Sequence, residues 1–291
     1  MLDAIARLRR FNRVVTKQVG ALDTSYLGRG RPLGAVRVLQ LVRDEGSNIA
    51  DIRGRLGLDS GLLSRLLRGL EDDGLVTLQT DLQDRRCRIA RLTPAGRAEM
   101  AQYEALGLAK AQALFASAGR QQAELIAAMD LIAAVMLRDQ VEIHPADPND
   151  PAALACLAAY YQLLAARIDG VTLQMLSLPL PDAGKYLPPL GAFAIAWSDD
   201  LPIGCVSLRP IGPETAEVKR LWVDPTARGL GLGRRLMREI EMQARRLGYR
   251  QMKLDTNTTL TEAVALYRSE GWVDIAKYSD FPSDLWMGKR L

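Results

Sequence analysis

Between Arg228 and Gly233 the chain reads Arg-Gly-Leu-Gly-Leu-Gly, after an apolar run from Val218 to Val223 and before a helical pattern over 234–247. Glycines at Gly229, Gly231 and Gly233 let a loop turn tightly while its backbone N–H groups converge on one point. A helix starting there adds unpaired N–H groups and the positive end of its dipole. Together these make a cradle for a pyrophosphate. Three glycines also suit a plain flexible turn, so the loop alone does not decide.

Two further stretches decide it. The Arg-x-x-Gly-x-Gly spacing, behind a strand ending Leu221-Trp222-Val223-Asp224-Pro225, resembles the acetyl-CoA loop of the GNAT acetyltransferases. The segment from Glu262 through Leu266-Tyr267 to Gly271-Trp272 resembles that family's second signature, in the right order and at the expected distance. The resemblance covers roughly 141–291. It implies acetyl-CoA as co-substrate and a mixed sheet splayed to admit the pantetheine arm. Backbone groups of Leu221, Trp222 and Val223 would pair with that arm. Arg228, Gly229, Leu230, Gly231, Leu232, Gly233 and Arg234 would hold the pyrophosphate. A dinucleotide-binding unit, with Asp255 as its ribose contact, is the competitor, but too little chain follows Asp255 for a doubly wound sheet.

Acetyl transfer from a thioester to an amine needs a base for the amine proton, a polarised carbonyl and a proton for the leaving thiolate. The resemblance assigns the acid to Tyr267 and the base to Glu217, acting through water. Read as residues alone, Tyr267 also suits a packed aromatic, and Glu217 a partner for Lys219 or Arg220. Many family members carry Asn seven residues before the tyrosine; here that residue is Leu260, and Asn257, with Thr258 beside it, is the nearest substitute as a cofactor contact. The tail from Lys277 to Trp286 would supply the last strands and part of the acceptor pocket. The acceptor is open among small amines, amino acids, an antibiotic and a protein lysine.

The elements that must position these groups form two domains. The 291 residues suffice for two cores, and 48% hydrophobic with 25% charged residues is globular composition. No apolar run reaches membrane-spanning length and the start lacks an apolar signal core. Cys87, Cys156 and Cys205 lack metal-ligand spacing, and His144 is the single histidine, so no metal is expected and a reduced cytoplasm fits. Basic residues outnumber acidic ones 21 to 16 over 1–140 and trail them 17 to 18 in the remainder, which points the first half toward nucleic acid.

That half reads as a winged helix-turn-helix. Periodicity predicts helices over 2–19, 33–43, 49–56 and 62–73, with Asn48 and then Asp59 or Ser60 as caps and Gly74 as a stop. Strands over 75–79 and 88–92 flank a polar hairpin carrying Arg85, Arg86, Arg88 and, further on, Arg91. Ser60, Ser64, Arg65 and Arg68 on the second helix are candidate base or phosphate contacts, and Arg85, Arg86 and Arg88 candidate minor-groove contacts. The residues Leu58-Asp59-Ser60-Gly61, Leu63-Ser64-Arg65-Leu66, Leu70 to Val76, Asp84-Arg85-Arg86 and Leu92-Thr93-Pro94-Ala95-Gly96 resemble the MarR family of transcriptional regulators. The resemblance implies a homodimer, joined by the 2–19 helix and the Ala-rich helices 95–118 and 120–137, on double-stranded DNA with an inverted-repeat operator.

Turn-rich sequence over 145–151 places the boundary near 140, giving domains 1–139 and 140–291. The expected fold class is a mainly α winged helix-turn-helix followed by an α/β GNAT fold with a mixed sheet. The expected function is a cytoplasmic DNA-binding regulator joined to an N-acetyltransferase. The alternative is a pure regulator whose second half binds acetyl-CoA as a signal.

Overall fold

The computed structural model describes residues 3–80, 87–175, 177–279 and 283–291. The chain divides into two compact units, Met1–Gln122 and Ala123–Leu291.

In the first unit α1 (Ala4–Val19) is capped by the Asp3 side chain on Ile5 N and stopped by left-handed Gly20. Then follow α2 (Leu33–Gln40), β1 (Ser47–Asn48), α3 (Ile49–Leu56), α4 (Ser60–Asp72), β2 (Val76–Thr80), β3 (Arg88–Leu92) and α5 (Pro94–Ala118). The expected caps form: Asn48 accepts from Ala50 N and Asp59 from Leu62 N. The strands make an antiparallel sheet in the order β1-β3-β2. Strand β1 is two residues long, too short for any alternation to reveal it. Val36, Leu39, Ile52, Leu63, Leu67, Leu70, Val76 and Ala90 form the core, so α4 buries one stripe and leaves the opposite face to solvent.

Helix α6 (Gln122–Met136) leads into the second unit, where Ala134 joins the core beneath the sheet. The compact-unit boundary thus lies inside the Ala-rich helical stretch that sequence assigns to the first domain; no composition shift marks the place. Next come β4 (Glu142–Pro145), α7 (Pro151–Arg167), β5 (Ala192–Ser198), β6 (Leu201–Pro210), β7 (Thr215–Val223), α8 (Leu232–Arg246), β8 (Gln251–Thr256), α9 (Thr261–Ser269), β9 (Val273–Asp274) and β10 (Leu285–Arg290). Seven strands run in the order β4-β5-β6-β7-β8-β10-β9, mixed because β7 and β8 are parallel while the other pairs are antiparallel. Helix α8 buries Leu232, Leu236, Met237, Ile240 and Ala244 in one core. Helix α7 buries Cys156, Leu157, Tyr161 and Leu164 in another, with Phe193, Ile195 and Trp222 of the sheet.

One close approach holds the wing of the first unit to α5. Thr93 caps α5 through Gly96 N and donates its hydroxyl to Gly74 O at 2.6 Å. A Cβ at Gly96 would lie 2.0 Å from the Leu75 carbonyl oxygen. Gly96→Ala should therefore destabilise the protein by about 1–3 kcal/mol through overpacking against backbone. Gly54→Ala in α3 meets open space and should gain up to about 1 kcal/mol from helix propensity. Urea denaturation of the two variants checks the opposite signs.

Candidate functional site

The site of the second unit begins where β7 leaves its neighbour. Strand β7 pairs with β8 only over Thr215–Gln251, Ala216–Met252 and Glu217–Lys253. On its other side the register with β6 slips: Ser207 faces Lys219 and Cys205 faces Trp222. The extra residue is absorbed by a bulge at Arg220, which takes φ 57°. Beyond Glu217, β7 therefore presents an edge to a gap instead of to β8. The gap is a cavity of about 680 Å³ lined by Leu221, Trp222, Val223, Arg228, Gly229, Gly231, Leu232, Gly233, Arg234, Asp255, Asn257 and Tyr267, among others. Leu230 does not line it and packs on the core instead.

The glycine loop closes one end. Asp224 ties the turn before it, accepting from Thr226 N at 2.9 Å. Gly229 and Gly231 take φ 74° and 83°, which a side chain would strain. No side chain caps α8, whose first turn points its unpaired N–H groups into the loop. Gly233 lets α8 approach α9, since a Cβ there would sit 3.0 Å from Leu266 Cδ2. Arg234 is fixed by Glu270 at 2.5 Å, whereas among the described residues the exposed Arg228 guanidinium reaches only the Val223 carbonyl, at 3.4 Å. A strand edge with free backbone groups, ending on an uncapped helix N-terminus with two cations, fits the pantetheine arm and pyrophosphate of a coenzyme A thioester.

Of the two expected catalytic side chains, Tyr267 faces the cavity and Glu217 does not. Tyr267 is 7% exposed, and burial, with the nearby Asp255 carboxylate, pushes its phenol well above the usual range. It stays protonated at neutral pH, as a proton donor must. Glu217 is 1% exposed and lies outside the cavity lining. Arg209 Nε donates to its Oε2 at 2.7 Å and Lys219 Nζ lies 3.3 Å from its Oε1. Of the two partners sequence offers Glu217, the structure selects Lys219 and not Arg220.

Asp255 is the buried carboxylate that lines the cavity, beside the exposed Glu262, and the sequence offers it only as a ribose contact. Burial alone would raise its pKa. The Lys219 ammonium bonded to it, with donation from Ser279 at 2.8 Å and Ser283 at 3.1 Å, outweighs burial and holds it below the usual carboxylate range. Asn257 Oδ1 is spent on Thr259, and Thr258 is held by Asp284. Tyr160, Tyr161 and Arg220 also line the cavity, on the side of α7. The adjacent tyrosines on a helix and the Lys-Arg pair inside an apolar strand were the signals in the sequence.

In the first unit Ser60, Arg65 and Arg68 are exposed on α4, Ser64 is half-buried, and Arg88 is exposed on β3. Arg85 and Arg86 lie outside the described residues. Arg91 is committed to the fold, donating to the carbonyls of Asp44 and Glu45.

Two outcomes follow from the buried charges of the second unit. Removing Glu217 as Glu217→Ala takes the counter-ion from Arg209 and leaves Lys219 with Asp255 alone, and should cost roughly 3 kcal/mol, the lower end for one member of a buried pair because both cations are partly exposed. Urea denaturation measures it. Asp255 has a depressed folded pKa, so its stabilisation is present above the unfolded value of about 3.9 and is lost as pH falls through the folded value. Asp255→Asn should flatten the stability profile below about pH 4.

Comparison with known proteins gives a match for each unit. The profile of the acetyltransferase (GNAT) family matches residues 167–272, and that of a winged helix DNA-binding domain matches residues 34–106. An uncharacterized N-acetyltransferase of Schizosaccharomyces pombe is 43% identical over 100 residues, 34% of this chain and 61% of that protein. An IAA acetyltransferase of Azospirillum brasilense is 38% identical over 104 residues, 34% of this chain and 67% of that protein. The chain thus spans less than two thirds of the first of these relatives. A solved acetyltransferase from Streptococcus agalactiae is 25% identical with a TM-score of 0.44, covering 52% of this chain and 98% of that one. The chain belongs to the GNAT acetyltransferase family through its second unit, and its first is similar to a winged helix DNA-binding domain.

Proposed function

We propose that the protein is an acetyl-CoA-dependent N-acetyltransferase joined to a dimeric, MarR-like, DNA-binding regulator that works in the cytoplasm. The observation that carries the enzymatic reading is the parting of β7 from β8 directly above the Gly229–Gly231 loop, with buried Tyr267 on the cavity wall. Leu221, Trp222 and Val223 offer their backbone to the pantetheine arm. Arg228 and the N–H groups from Gly229 to Arg234 take the pyrophosphate, and Asn257 borders the same cavity. In the reaction the amine nitrogen bonds to the acetyl carbon as the C–S bond breaks. Tyr267 gives its proton to the departing thiolate. The amine's proton leaves toward the Asp255–Lys219–Glu217 chain, in which Asp255 meets the acceptor and Glu217 is reached through Lys219 or a water.

The DNA reading rests on the exposed cations of α4 and β3 beside a three-stranded wing. Ser60, Ser64, Arg65 and Arg68 would meet bases and phosphates in the major groove, and Arg88, with Arg85 and Arg86, the backbone or minor groove. Helix α1 supports a dimer: none of its residues is buried, and Ile5, Leu8, Phe11, Val14, Val15 and Val19 are exposed, Ile5 by 57%. An apolar face of that extent in water calls for a second surface.

Tyr267→Phe should lower kcat by about 10²-fold, the usual share of a general acid, with acetyl-CoA affinity little changed. Thiol release against an amine panel, paired with calorimetry, checks both. Unchanged turnover removes Tyr267 from the chemistry, and binding without release to any amine favours a sensor. Arg65→Ala and Arg68→Ala should each weaken DNA binding at all sequences and lower the salt slope by about one if each contacts a phosphate.

A further inference from the structure

We infer that the acceptor is an amine that also carries a carboxylate, and that Arg220 is the residue that holds it. The inference rests on the acetyltransferase reading and adds to it the chemical class of the acceptor.

The bulge of β7 sends the Arg220 side chain toward α7 and the turn at Ala183–Tyr186. Its Nε donates to the Tyr161 hydroxyl at 3.3 Å and its Nη1 to the Tyr186 hydroxyl at 2.6 Å. Its Cζ stands 4.7 Å from the centroid of the Tyr186 ring. These partners orient a guanidinium and do not neutralise it. Of the other cations at or beside the cavity, Arg209 is paired with Glu217, Lys219 with Glu217 and Asp255, Arg167 with Glu262, and Arg234 with Glu270, while the exposed Arg228 stands at the glycine loop, where the pyrophosphate would meet it. Among the described residues Arg220 has no carboxylate partner, and its Nη2 makes no hydrogen bond to protein.

Arginine cannot shed its proton to relieve this state. A half-buried cation without a counter-ion is costly, and the fold keeps Arg220 on the wall of the reaction cavity. A planar fork with free N–H groups is matched by a carboxylate, which accepts two parallel bonds. Asp255 and Tyr267 line the same cavity. Tyr160 also lines the cavity, its phenol pushed up by burial and by Tyr267 and Asp255, and drawn the other way by Arg220. An acceptor with its amine toward Asp255 and its carboxylate on Arg220 satisfies both ends, as an amino acid does.

The test is calorimetric titration of the full-length protein, with and without coenzyme A, using N-acetyl derivatives of the common amino acids and their carboxamides. For at least one side chain the acid should bind more tightly than its amide by roughly tenfold to a hundredfold, the span of a charge-assisted hydrogen bond. Arg220→Gln should abolish that preference and Arg220→Lys should retain part of it, while coenzyme A titration shows that each variant is folded. No acid preferred over its amide, or a preference that survives in Arg220→Gln, overturns the inference. Absence of coenzyme A binding to the wild type removes the acetyltransferase reading instead, and the acid–amide comparison made without coenzyme still decides the role of Arg220.

Discussion

The second unit depends on a pairing that stops. Parallel strands β7 and β8 bond over three residues and then part, although both continue. An unpaired strand edge is ordinarily a liability, because its N–H and C=O groups need partners. Here the open edge runs into the uncapped N-terminus of α8, so two sets of unsatisfied backbone groups face one cavity. The bulge at Arg220 changes the register against β6 just where the gap opens. The amphipathic stripe of α8, packed under the sheet, holds the helix end in place. What the fold leaves unbonded is what a thioester with a long polar tail can bond.

The same strand carries a buried charge array. Lys219 sits between Glu217 and Asp255, Arg209 closes one end, and the hydroxyls of Ser279 and Ser283 close the other. Trp286 on β10 donates to Ser279 at 2.8 Å, so the network ties β7, β8, the tail and β10 together across the splayed region. Burying several charges gains little net stability unless each is satisfied. The array is satisfied, and it maintains an ionised carboxylate on the wall of the cavity. Arg220 stands apart from it.

Much of this was legible in the sequence because strong local signals coincide with the elements. Glycines that need positive φ at Gly229 and Gly231, the caps at Asn48 and Asp59, and the 3.6-residue stripes of α4 and α8 each leave a mark on the chain. What escaped depends on register. The bulge is a relation between β6 and β7, and nothing in Val218-Lys219-Arg220-Leu221 states where the slip occurs. That slip decides that Arg220 faces Tyr161 of α7 and Tyr186 of the 183–186 turn. Asp255 reads as a site residue only once parallel pairing sets β8 beside β7.

The division of labour between Asp255 and Arg220 also bears on turnover. An acceptor with both an amine and a carboxylate meets a negative group at one end and a positive group at the other. Acetylation converts the amine to a neutral amide and leaves the carboxylate unchanged. The attraction toward Asp255 is then lost while the bonds to Arg220 persist, so the product is held at one end only. A site that kept both attractions would bind acceptor and product alike and slow its own release. A depressed pKa at Asp255 serves this arrangement, because the carboxylate remains charged at neutral pH and draws the acceptor before reaction. The same asymmetry is available to regulation. A DNA-binding unit responds to a ligand only through a difference in affinity between two states. An acceptor and its acetylated product differ in the one charge that Asp255 meets.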